Sequence, residues 1–433
     1  MPIARLGVAI ALAGATPLFA QGAPTLTAVR FRSLVDGTGR VVRDAVVVID
    51  ADTVVRVGTG DGAVPRAARV IDLRRYTAIP GLIDAHTHLT YFWDQTPGTD
   101  PWQQSGRRRS QVTVFLAQEN ARRTLETGVT TIRDLGASEY SDLAMRDLIN
   151  RGAMVGPRVF AAGYGLRRAP ATPANAALPN APPPLPGPPR GRLASIDDVA
   201  AAVKAQVDAG VDVIKVYGST GSGADVTGRQ TLTYDEMKAI VDASRAAGKR
   251  VAIHSYGPDG GRDAVRAGAE SVEHPIDLDD STLARMVSQG TYYVPTIDHN
   301  RYYAEYHEQF KYTPAQVAAL DSFRLRNIET ARRAFRAGVQ FAMGSDAVFN
   351  MFGQNTRELL WYAQIGMTPA QALATATTNG AALLGMEEKL GAVAPGYFAD
   401  IVAVDGDPLT DIRVVVDRVR WVMKGGRVVV DRR

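Results

Sequence analysis

The rhythm of apolar positions divides the chain into three parts. From residue 25 to about 76, short runs of Val, Ile and Leu are separated by Gly and Asp turns, with no helical period running through them. That texture predicts β-strands joined by tight turns. Residues 397–433 repeat it, with alternating apolar positions around Trp421 and a turn at Gly425-Gly426. Two β-rich ends therefore flank a different middle.

In that middle, apolar strand-like runs alternate with longer segments of helical period, which predicts repeated β/α units around a parallel sheet. Eight strands are predicted, at 79–88, 131–135, 158–162, 213–217, 250–254, 271–274, 292–297 and 339–345. Helices are predicted at 110–126, 197–209, 234–247, 263–267 and 314–337. Eight repeats suit a TIM-type (β/α)8 barrel with insertions. An open doubly wound sheet is the alternative, but no glycine-rich dinucleotide fingerprint follows the first strand. Residues 167–192 hold too many prolines for a helix or central strand. They are expected to form a long loop after the third strand, either a disordered excursion or a flap over the substrate.

Arg5, the apolar residues 6–20 and the small-residue stretch Gln21-Gly22-Ala23-Pro24 follow the plan of a secretory signal peptide. Residues 1–20 are therefore expected to be removed on export to the periplasm or the extracellular medium. The apolar run is shorter than the roughly 20 residues that span a bilayer, and it contains Pro17, which argues against a stable membrane anchor. The formal charge is +4, and acidic and basic residues are mixed along the chain. Nucleic-acid binding would want a clustered basic face. The chain has no cysteine, which excludes disulfides, thiolate metal ligands and a cysteine nucleophile.

Chemistry concentrates at the predicted strand ends. His86 and His88 are two apart, and on a strand such residues share a face, so both can reach one metal ion. Lys215, His254 and His274 end the fourth, fifth and sixth strands, and Asp346 follows the eighth. Taken singly, each has an ordinary structural role as a core histidine, a snorkelling lysine or a helix-capping aspartate. As a set they would meet at one mouth, because a (β/α)8 enzyme places its functional groups at the C-terminal ends of the strands. Burial favours the neutral amine of a lysine. A neutral amine can add CO2 to give a carbamate, whose two oxygens can bridge two cations. A carboxylate beside a metal-bound water can take its proton and deliver it to a leaving group.

Together these residues resemble the amidohydrolase superfamily, in particular its binuclear members with a carboxylated lysine. The markers are residues 80–88 (Pro80-Gly81 through His86-Thr87-His88), Thr130-Thr131-Ile132-Arg133-Asp134, Lys215, His254, His274, Gly344-Ser345-Asp346 and Pro395-Gly396-Tyr397-Phe398-Ala399-Asp400. The resemblance implies a small β-sandwich built from residues 25–76 and 397–433, beside a hydrolase barrel at 77–396. It also implies two divalent ions, with zinc suiting the N/O donors. His86, His88, Lys215 and Asp346 would hold one, and Lys215, His254 and His274 the other. A hydroxide would bridge them, and Asp346 would pass its proton to the departing amine.

Within the superfamily the chain looks most like the imidazolonepropionase-like group, which includes secreted Xaa-Pro dipeptidases and ochratoxin-hydrolysing amidases. That likeness implies hydrolysis of an amide bond in a small dipeptide or N-acyl amino acid, by an enzyme of a kind that commonly forms homo-oligomers. Tyr256, in His254-Ser255-Tyr256-Gly257, would hydrogen-bond the scissile carbonyl. The chain departs from the pattern after the third strand, where many relatives place a histidine and this sequence has Tyr164. For a substrate carboxylate the candidate cations are Arg133, Arg262 and Arg301. The aromatic stretches 91–93 and 302–303 are candidates for an apolar pocket. Two further readings are hydrolysis of an ester, lactone or cyclic amide by the same centre, and a catalytically silent exported binding protein. The silent protein would have no need of all six metal-competent residues.

Overall fold

The computed structural model describes residues 26–106, 108–169 and 191–433. The expected signal peptide at 1–20 and most of the proline-rich segment lie outside the described residues. The N-terminal strands are β1 (Thr27–Val35), β2 (Val41–Asp50), β3 (Thr53–Thr59) and β4 (Arg69–Pro80). Three strands follow: β5 (Leu82–Thr87), β6 (Val129–Asp134) and β7 (Arg158–Ala161). A two-residue pair, β8 (Arg167–Arg168) and β9 (Arg192–Leu193), precedes β10 (Val213–Tyr217), β11 (Arg250–His254), β12 (Ser271–Glu273), β13 (Tyr292–Val294) and β14 (Gln340–Phe341). The chain ends on β15 (Ile401–Val404), β16 (Val419–Lys424) and β17 (Arg427–Asp431).

Strands from both chain ends form one continuous seven-stranded sheet, in the order β17-β16-β15-β4-β1-β2-β3. β4 joins the halves, pairing parallel with β1 and antiparallel with β15. Alternating side chains from both halves fill one apolar cluster, in which Phe31 and Trp421 meet edge to face at 6.4 Å. The middle strands make two parallel sheets, β5-β6-β7 and β10-β11-β12-β13-β14. Backbone hydrogen bonds link their edges. On one side Leu166 N donates to Lys215 O and Tyr217 N to Leu166 O, both at 2.8 Å. On the other, Ala85 N donates to Met343 O and Asp346 N to His86 O, both at 2.7 Å. Among the described residues, no helix is long and apolar enough to cross a membrane.

The structure departs from the sequence reading where one apolar run serves two elements. The expected strand 79–88 is split: Ile79 and Pro80 end β4, which runs past the expected boundary at 76/77, and β5 begins at Leu82. Gly81 makes the corner because a Cβ there would lie 2.2 Å from Thr130 Oγ1 and 2.8 Å from Asp400 Cβ. The expected strand 292–297 stops at Val294, and the chain enters a helix at Ile297–Glu305. The expected helix 110–126 is two, Ser110–Leu116 and Gln118–Glu126. The helix expected at 263–267 starts earlier, at Pro258, where a proline suits the first turn. The longest helix among the described residues, Pro314–Ala337, has the expected bounds, set by a Thr313/Gln316 capping box and a left-handed Gly338.

Asp400 fastens the seam between the seven-stranded sheet and the parallel strands. Its carboxylate accepts from Arg158 Nη1 at 2.8 Å and from Gly425 N at 2.7 Å, and its carbonyl accepts from Gly81 N at 2.8 Å. Asp400→Ala leaves the Arg158 guanidinium without its counter-charge, with only the Thr131 hydroxyl to bond, and the Gly425 amide without its acceptor, and is expected to lower unfolding free energy by about 3 kcal/mol. Urea denaturation measures this, and an unchanged midpoint would contradict the assignment.

Candidate metal centre

His86 lies on β5 and His88 one residue beyond its end, while Lys215 is the central residue of β10. His254 ends β11, His274 follows β12, and Asp346 comes five residues after β14. All six are buried, and all line one cavity of about 290 Å3. The Asp346 carboxylate is its focus. Oδ1 lies 3.5 Å from His86 Nε2 and 3.3 Å from His88 Nε2, and Oδ2 lies 3.2 Å from His299 Nε2 and 3.9 Å from His274 Nε2. Lys215 Nζ is 3.5 Å from His86 Nε2. The His254 ring sits 4.7 Å from that of His274, and its buried Nε2 has no hydrogen-bond partner among the described residues.

Backbone conformation contributes to this convergence. His274, Thr296 and Asp346 have φ of 71°, 50° and 51°, the left-handed region that non-glycine residues seldom occupy. Such strain persists only where the surroundings hold it, and here it turns the chain into the cavity just past three strands. Asp84 helps to hold it, accepting from Ser345 N at 2.9 Å and from Asn355 Nδ2 at 3.0 Å.

The remaining ring nitrogens are held from behind. His86 Nδ1 is 2.8 Å from Glu273 Oε2, His88 Nδ1 2.9 Å from Gly136 O, His274 Nδ1 2.6 Å from Thr296 Oγ1, and His299 Nδ1 2.8 Å from Asp346 O. A carbonyl oxygen only accepts, so Nδ1 of His88 and His299 carries hydrogen, and in the neutral ring Nε2 offers a lone pair inward. Lone pairs and a carboxylate converging away from water form a donor set that fits a divalent cation. Burial pushes His254 down to about 3 and keeps His86 and His274 well below the ordinary imidazole range, which favours the ligating form. Burial also brings the Lys215 amine down to about 8, within reach of its neutral form. At Asp346, burial is outweighed by the surrounding imidazoles, which hold the carboxyl below the usual carboxylate range. Burial is outweighed at His88 too, where the contact with Asp346 raises the ring's proton affinity. That proton is the one a bound cation would displace.

A match to the model of the amidohydrolase family spans residues 77–429. The chain belongs to the amidohydrolase family. It is a hydrolase acting on amide or peptide carbon–nitrogen bonds, in a family that generally binds divalent metal ions. Ochratoxinase of Aspergillus niger is 29% identical over 421 residues, which cover 91% of this chain and 85% of that protein. Imidazolonepropionase of Geobacillus kaustophilus is 26% identical, over 90% of this chain and 91% of its own. A Xaa-Pro dipeptidase, solved with methionine bound in its active site, superposes with a TM-score of 0.82 at 31% identity, covering 93% of this chain and 99% of that one. These matches imply a TIM barrel with a small accompanying domain.

Within this amidohydrolase the other expected contacts are distributed differently. Tyr256 lines the cavity, its ring stacked on His254 at 5.0 Å. Tyr164 turns to a neighbouring cavity, where its hydroxyl accepts from Glu139 N at 2.8 Å. None of the three expected arginines lines the metal cavity. Arg133 lies beneath it, donating to Ala85 O at 2.6 Å and to Glu273 Oε1 at 3.0 Å, so it supports the carboxylate that holds His86. Arg262 pairs with Asp259 at 3.0 Å on a half-exposed helix face, and Arg301 forks onto Asp298 at 2.7 and 2.8 Å. The sequence reading missed His299, Arg167 and Tyr217. His299 stands two residues after the expected seventh strand, where the strand-end rule that selected the other histidines would have found it. Arg167 falls at the start of the segment expected to be a proline-rich loop.

Two substitutions separate these roles. Arg133→Met strands the buried Glu273 carboxylate and is expected to cost about 3 to 5 kcal/mol in urea denaturation. Arg262→Met should change stability by less than about 0.5 kcal/mol. Equal effects would contradict the placement of Arg133 beneath the site.

Proposed function

We propose that this protein is an exported, binuclear metal-dependent amidase that cleaves the amide bond of a small dipeptide or N-acyl amino acid. The observation that carries this reading is the convergence of the inward-facing Nε2 atoms on Asp346, with the opposite ring nitrogens tied to fixed partners. Similarity to ochratoxinase and to a Xaa-Pro dipeptidase supports the substrate class. The apolar stretch at 6–20 is the ground for export.

His86, His88, Lys215 and Asp346 would hold one ion, and Lys215, His254 and His274 the second, with Lys215 serving as its CO2-derived carbamate. Zinc suits this set of nitrogen and oxygen donors. When bound, the ions supply Lewis acidity toward the amide carbonyl and toward water. The protein's own groups do the rest. Asp346 takes the proton of the attacking water on its carboxylate and hands it to the departing nitrogen. His299 holds the Asp346 backbone by donating from Nδ1 to the Asp346 carbonyl, and so sets where that carboxylate stands. Tyr256 is the hydroxyl donor toward the oxygen that gains charge as the carbonyl is attacked. The rings of Tyr91, Trp102 and Tyr303 line the same cavity, exclude water from it and suit an apolar acyl group.

The test is release of free amino acid from a panel of dipeptides and N-acyl amino acids by the purified chain. A chelator should abolish release and added zinc should restore it. Asp346→Asn should lower kcat by roughly 100-fold or more, the scale of general acid–base catalysis, while the fold persists in circular dichroism. Failure of a metal-loaded sample to cleave any member of the panel would overturn the amidase reading.

A further inference from the structure

Arg167 lines the metal cavity, and no carboxylate among the described residues pairs with its guanidinium. The neighbouring Arg168 is ion-paired with Glu236. The backbone of Arg167 is pinned, with its N–H on Gly191 O at 2.8 Å, next to Leu166, which hydrogen-bonds the Lys215 strand. Its guanidinium carbon lies 4.3 Å from the centre of the Tyr217 ring. That ring is itself fixed, because Gly165 clears space for it: a Cβ at 165 would lie 2.3 Å from Tyr217 Cε2. A guanidinium stacked on an aromatic face keeps its N–H edges free to form a two-pronged bond to a carboxylate. Its polar neighbours are Gly165 O, 3.5 Å from Nε, and the Tyr217 hydroxyl, to which the guanidinium also donates, so the N–H groups left over are those open to a ligand.

The charges lining this cavity are one-sided. Among the described residues Asp346 is its only lining carboxylate, and four imidazoles already surround it. A substrate ammonium group would find no carboxylate to pair with and would meet the positive charge of Arg167, whereas the aromatic lining accepts an uncharged group. We propose that Arg167, backed by Tyr217, receives the carboxylate of the leaving amino acid, and that the acyl end of the substrate is uncharged. The substrate class is then an N-acyl amino acid and not a dipeptide with a free amine. This proposal rests on the amidase reading and adds to it the residue that selects the leaving group.

Calorimetry on the full metal-loaded chain with 3-phenylpropanoate tests the carboxylate contact without any bond being cleaved. Arg167→Met should bind this acid at least about 20-fold more weakly than the wild type, and Arg167→Lys should stay within about fivefold, as expected for loss or retention of a charge-assisted contact. The alcohol 3-phenylpropanol should bind all three proteins alike. Equal binding of the acid to the wild type and Arg167→Met would overturn the contact. That result is separate from failure of the amidase reading, which would appear as no amino-acid release from any substrate. In turnover, N-acetyl-L-phenylalanine should exceed L-alanyl-L-phenylalanine in kcat/KM by at least about tenfold, the cost of leaving an ammonium unpaired. Arg167→Met should raise its KM with kcat little changed. A dipeptide turned over as well as the N-acetyl compound would overturn the uncharged acyl end.

Discussion

A buried carboxylate ringed by imidazoles is the constraint around which the site is organised. Taking Asp346 out of water costs several kcal/mol unless its charge is answered, and the answering groups are themselves buried rings with a proton to place. The structure resolves this from the outside inward. Gly136 O, Thr296 Oγ1, Glu273 and the Asp346 carbonyl each hold a ring at Nδ1, so the Nε2 atoms face the carboxylate. Glu273 is in turn held by Arg133, which reaches back to the backbone of β5. A disturbance at Arg133 would therefore travel through Glu273 to His86.

Geometry of this kind requires strands whose ends are fixed relative to one another. The hydrogen bonds from Asp346 N to His86 O and from Ala85 N to Met343 O do this for the last and first parallel segments. Those from Leu166 to the Lys215 strand do it for the two parallel sheets. The seven-stranded sheet contributes at a distance. It is tied to the start of β5 by Gly81 and Asp400, so the strand carrying His86 enters the parallel sheet at a set angle. Membership of the amidohydrolase family accounts for the chemistry, and this scaffold shows how the present chain presents it.

Much of the site was legible because its residues obey a local rule: a polar, metal-competent side chain where an apolar run ends. His86, His88, His254, His274 and Asp346 fit that rule, whereas Lys215, expected at a strand end, is the central residue of β10; one cavity collects all six. The rule failed where an element boundary was misread. Ile297 looks like the last residue of a strand because apolar runs do not distinguish strand from the first turn of a helix. His299 stands two residues past that expected end, in the first turn of the helix that replaces it. Arg262 and Arg301 pair with acids three residues away on their own helices, a spacing visible in the sequence, but Arg133 failed for a different reason. Burial and ion pairing are tertiary facts, and nothing in Thr131-Ile132-Arg133-Asp134 reveals that Glu273, distant in sequence, will take up the guanidinium. The corner at Gly81 was equally hidden, since the neighbours that forbid a side chain there come from Thr130 and Asp400.

The central claim is that the cavity around Asp346 binds two divalent ions through these residues. Metal analysis of the purified, active chain by mass spectrometry tests it most directly. The account predicts two divalent ions per chain, falling as activity falls during dialysis against a chelator. A well-folded chain that carries no metal and keeps its full rate of amide hydrolysis would contradict it.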